Sequence, residues 1–88
     1  MKVSVIIAVY KDIQSLDLIL QALKKQTYTN FEVIVAEDNN SPAMAEYLKT
    51  VEGLEILHTF QDDDGVRKSR SQNNGILASR GEYLIFID

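Results

Sequence analysis

The sequence predicts an α/β fold: a Rossmann-like parallel sheet built in the order β-α-β-α-β-α-β. Short, nearly continuous apolar runs at residues 3–9, 31–36 and 82–87 alternate with stretches whose apolar residues recur at helical spacing. Each connection is long enough for a right-handed crossover, which makes the strands parallel. Carboxylates end two of the runs, as Glu37-Asp38 and as Asp88. In an open parallel sheet, ligands bind outside the carboxyl ends of the strands.

The first run, residues 3–9, is β-branched and apolar on both faces, as a doubly covered strand would be. Asp12 offers an N-cap, and Leu16, Ile19, Leu20 and Leu23 follow as one helical stripe. Residues 27–30 break that helix before the second strand. Ser41-Pro42 marks the next helix start, with Ser41 as cap and Pro42 in the first turn. Met44, Tyr47 and Leu48 are its apolar contacts, and Gly53 ends the segment. Residues 54–60 form a third strand, whose alternation suits a sheet edge. A third helix is expected over residues 66–79, with Gly81 as a left-handed stop before the fourth strand.

Composition fixes the class. The chain has 88 residues, 45% of them hydrophobic and 25% charged. That is one domain, residues 1–88, burying roughly 60–65% of its extended surface. A net charge of -4 argues against a general nucleic-acid binder. With no cysteine there is neither a disulfide framework nor a thiolate zinc site, and the absence fits the cytosol. The longest apolar stretch, residues 3–10, is too short to span a bilayer and lacks the pattern of a signal peptide.

The turn after the first strand, Val9-Tyr10-Lys11-Asp12, has no glycine. Neither a dinucleotide fingerprint nor a P-loop is present. Tyr10 instead sits where an aromatic could flank a nucleobase or simply cover the sheet end. Asp38 could accept a hydrogen bond from a ring N–H or from ribose hydroxyls; the competing reading is turn chemistry within Glu37-Asp38-Asn39-Asn40-Ser41. Arg67, Lys68 and Arg70 crowd the start of the third helix, where the helix dipole disfavours cations. Either Asp62, Asp63 and Asp64 offset them or a bound anion such as a diphosphate does, with Arg67 the best candidate. Asp88 reads as a ligand-facing carboxylate or a solvated strand end. His58, isolated on the third strand, is assigned no role.

Together these residues resemble the nucleotide-binding half of family 2 glycosyltransferases, which have the GT-A fold. The family's V-S-V-I-I-P-x-Y-N corresponds to residues 3–11, with Ala8 for the proline and Lys11 for the asparagine. Its Q-T-Y-x-N-F-E-x-I-V-V-D-D-x-S corresponds to residues 26–38, with Asn39-Asn40 placing Ser41 one position late. Its A-R-G-E-Y-I-x-F-L-D-x-D corresponds to residues 79–88. Asp64-Gly65-Val66-Arg67-Lys68 with Asn73 is similar to a stretch of chondroitin-polymerase-like and capsular polysaccharide transferases.

The resemblance implies strand order 3-2-1-4 and a UDP-sugar donor. It implies that Ala8 and Tyr10 line the nucleotide, Asp38 meets the base and Arg67 lies near base or diphosphate. Asp88 would be the first acid of D-x-D, touching the ribose or, in part, a metal; Mn²⁺ or Mg²⁺ is expected in the parent enzyme. The sequence therefore reads as the front part of a longer, inverting transferase acting on a glycan acceptor. That parent would work in the cytoplasm or at the inner face of the membrane. The chain alone is expected to be inactive and to self-associate through an exposed strand edge. The rival classes are a phospho-receiver-like Mg²⁺ domain, which needs acids after the first strand, and an assembly module with no ligand.

Overall fold

The computed structural model describes residues 2–60, 75, 76 and 78–87. The elements are β1 (Val3–Val9), α1 (Ile13–Lys24), β2 (Phe31–Glu37), α2 (Pro42–Lys49), β3 (Ile56–Thr59) and β4 (Tyr83–Ile87). Among the described residues the strands form one parallel sheet in the order β3-β2-β1-β4, as the sequence predicts. The expected third helix falls largely outside the described residues; Gly75, Ile76 and Ala78 are helical.

β1 and β2 are the central strands, so their side chains are covered on both faces. On one face Val5, Ile7, Val9, Val33 and Val35 pack with Leu16 and Leu20 of α1 and Met44 of α2. On the other, Ile6, Ile34 and Ala36 meet Ala78. Gly75 lies so close to that face that a Cβ on it would stand 2.5 Å from Ile6 Cγ2. The apolar stripe of α1 points inward as its spacing requires, and Asp12 caps it by accepting from the Ser15 amide at 3.0 Å. The Tyr47 hydroxyl donates to Asp17 Oδ1 at 2.6 Å, tying α2 to α1.

Two expectations are corrected. Ser41 is the N-cap residue of α2, but its side chain makes no capping bond; its own amide donates to the carboxylate of Glu37 at 3.2 Å. Gly81 is not a left-handed stop, because the left-handed glycine among the described residues is Gly53, at φ 85°. Gly81 is needed for closeness: a Cβ there would stand 2.5 Å from Ser4 Oγ and 2.6 Å from Ser4 N.

That contact belongs to a polar staple at the amino end of the sheet. The Gly81 amide donates to Ser4 Oγ at 2.8 Å, and Ser4 Oγ donates to Glu32 Oε2 at 2.6 Å. The Arg80 amide donates to the same Glu32 oxygen at 2.6 Å. Ser4 and Glu32 are both buried and stand opposite each other in the β1–β2 register. Arg80 and Lys2 then reach Glu55 at 3.2 and 2.8 Å. No described helix is long and apolar enough to cross a membrane.

Candidate functional site

The parallel register brings the carboxyl ends of the strands to one edge. Val9 pairs with Glu37, Ala36 with Thr59 and Ile7 with Ile87. The residues that follow β1, β2 and β3 therefore gather there: Tyr10, Asp38 and Phe60. The staple around Glu32 lies at the opposite end of the sheet.

Ala8 and Tyr10 line one cavity of about 200 Å³, together with Asp12, Ser15 and Ile19. The Ser15 amide, and then its hydroxyl, hold the Asp12 carboxyl below its ordinary range. The Lys11 ammonium lies 4.9 Å above the Tyr10 ring, a cation–π distance. Lys11 itself has φ 62°, in the left-handed region where asparagine is better tolerated than lysine. Asp38 does not line that cavity. It is joined to the same strand end through its backbone, since the Asp38 amide donates to Val9 O at 2.8 Å. Asp38 is buried, at 3% exposure. Arg67 and Asp88, the remaining expected contacts, lie outside the described residues.

Glu37, read from sequence only as the first acid of a pair, is a firmly held group at this edge. Glu37 is 1% exposed and both its oxygens are engaged. Oε1 lies 2.7 Å from His58 Nε2, and Oε2 accepts from the Ser41 amide. His58 also packs on Phe60, ring centroids 5.6 Å apart. A signal was present. Val35 pairs with His58, so the alternation of a parallel sheet puts residues 35, 37 and 58 on one face. Finding it required the register, which a sequence without strand pairing does not supply. Among the described residues no group of three or more acidic or histidine side chains could hold a metal ion.

The profile described as Glycosyl transferase family 2 matches residues 4–88. This chain belongs to that family. Three curated relatives agree with the assignment. EpsH of Bacillus subtilis (strain 168), named as a glycosyltransferase, is 37% identical over 90 residues, covering 98% of this chain and 25% of that protein. Glycosyltransferase GlyA of Streptococcus pneumoniae serotype 4 is 32% identical, covering 99% of this chain and 12% of its own length. Validoxylamine A glucosyltransferase of Streptomyces hygroscopicus subsp. jinggangensis is 32% identical, with 97% and 21% covered. The crystal structure of S. aureus TarS superposes with a TM-score of 0.85 at 25% identity, over 100% of this chain and 16% of that one. The family 2 chain described here thus spans a quarter or less of each of these proteins.

Proposed function

We propose that this chain is the donor-nucleotide part of a family 2 glycosyltransferase and binds the nucleotide of a UDP-sugar. The observation that carries the reading is the placement of Asp38. It is buried and bonded to the end of β1, at the sheet edge where parallel α/β folds take their ligands. A carboxylate there accepts the ring N–H that uracil offers. Tyr10, at the neighbouring strand end, supplies an aromatic face, and Ala8 leaves room beside it. The cavity is below the usual size of a complete small-molecule site, so it suits a portion of the nucleotide.

In this proposal Arg67 lies near the base or diphosphate, and Asp88 touches the ribose or, in part, a metal; both roles rest on the family pattern alone. Glu37, the acid beside Asp38, is engaged by His58 and by the Ser41 amide. Transfer of the sugar to a glycan acceptor with inversion, in the cytoplasm, is proposed for the whole enzyme, and no turnover is expected from these 88 residues.

The test is ligand-observed NMR of this chain with UDP, GDP, CDP and ADP, with a sugar-transfer assay alongside. Selective contact with UDP is expected. Asp38→Asn should weaken it about five- to ten-fold, the cost of trading a charged acceptor for a neutral one. Equal contact with all four nucleotides, or no response to Asp38→Asn, would overturn the assignment. Sugar transfer by the chain alone would overturn the claim of inactivity.

A further inference from the structure

Glu37 is a buried carboxylate at the sheet edge proposed to take the nucleotide. Burying such a charge is costly unless it is hydrogen-bonded and paired. Its bonds run to two different elements. His58 Nε2, on β3, stands 2.7 Å from Oε1. The Ser41 amide, at the start of α2, donates to Oε2 at 3.2 Å. Because a carboxylate accepts, Nε2 is the ring nitrogen that carries the hydrogen.

Asp38 is the next residue, and its own amide donates to Val9 O on β1. The turn over residues 37–41 is thereby tethered to β1, β3 and α2 on both sides of Asp38. A contact that must meet a base gains affinity when its geometry is fixed before binding. His58 is the more exposed partner of the pair, its side chain 19% exposed while that of Glu37 is 0% exposed.

We propose that His58 is a positioning residue: acting through buried Glu37, it holds the 37–41 turn so that Asp38 is preset for the nucleobase. The inference rests on the nucleotide reading of Asp38, and its test includes a measurement that needs no nucleotide. Two substitutions separate the bond from the packing. His58→Phe keeps a ring against Phe60 and removes the N–H. His58→Gln keeps an N–H donor and removes the ring.

Amide hydrogen exchange and UDP titration are measured on the full 88-residue chain and both variants. In His58→Phe the amides of Asp38 and Ser41 should exchange about ten-fold faster while those of Val33 and Val35 stay within about two-fold. His58→Gln should return them to within about three-fold of the parent value, and UDP affinity should follow the same order. If the parent binds no UDP but this exchange pattern appears, the nucleotide reading fails and the tether stands. Unchanged exchange at Asp38 in His58→Phe overturns the proposal. So does a uniform acceleration of all amides, or a glutamine that behaves like phenylalanine. Should His58→Phe not fold, Glu37→Gln is measured in the same way and should loosen Asp38 selectively. If neither variant folds, the pair serves the fold as a whole and the proposal is wrong.

Discussion

Glu32 explains part of why the family pattern has the residues it has. Ser4, Glu32 and Arg80-Gly81 belong to three sequence stretches, V-S-V, N-F-E and R-G-E. In the fold one carboxylate joins them. Burial pushes the Glu32 carboxyl up, but the Ser4 hydroxyl, the Arg80 amide and the Arg80 guanidinium together bring it below its ordinary 4.5. Its contribution to stability is therefore complete above pH 4.5 and is lost as pH falls through the lower folded value. Glu32→Ala should cost about 2–4 kcal/mol near neutral pH, from lost bonds to a charged acceptor and unpaired buried donors. Denaturant unfolding at pH 7 and pH 3 checks this: the gap between parent and variant should narrow at pH 3. An equal gap at both would mean that the charge contributes nothing. Lys11 is the converse case, since its left-handed φ is a backbone demand that its side chain does not favour.

Gly81 makes the same distinction at the level of elements. A glycine after a helical pattern reads as a C-terminal stop, and that reading assigns a backbone conformation. The tertiary contact assigns a different reason, the approach of the β4 entry to Ser4. Gly81→Ala should therefore destabilise by overpacking, by about 1–3 kcal/mol, although φ there is one that alanine can adopt. A thermal midpoint unchanged by Gly81→Ala would show that β1 yields without cost. Helix α2 gives a parallel lesson. Serine before proline correctly located its start, but the donor at that start is satisfied by Glu37, four residues earlier in the chain. The strands were legible because β-branched apolar runs have few alternatives. Their ends were less so: β3 spans Ile56–Thr59, inside the expected 54–60.

The whole molecule is asymmetric. The sheet is fastened at its amino end and carries the candidate site at its carboxyl end. It is also uneven across its width. β4 lies at one edge, with Tyr83 56%, Leu84 40%, Ile85 50% and Phe86 45% exposed. Ile85 and Ile87 also line an apolar cavity of about 320 Å³ with Val3, Val5 and Phe31. An exposed apolar edge strand invites pairing with another chain. We expect this chain to self-associate through β4, and Ile85→Lys to reduce that association. Sedimentation across a concentration series is the measurement. A parent chain that stays monomeric at high concentration would contradict the expectation.

The sequence by itself determined the class of fold, the strand order through its family motifs, and the strand ends at which to look for a ligand. The fold class and the strand ends were legible because apolar period and turn chemistry are local properties, readable a few residues at a time; the strand order came from the resemblance alone. Only the tertiary structure decided what the polar residues are for. Glu32 stands near the start of an apolar run and Glu37 ends it, each as an ordinary acid, and the side chains they bond are not near them in the chain. Their partners lie 28 and 48 residues away for Glu32 and 21 residues away for Glu37. Strand register chose those partners. Burial then made the choice matter, because a carboxylate removed from water must be hydrogen-bonded.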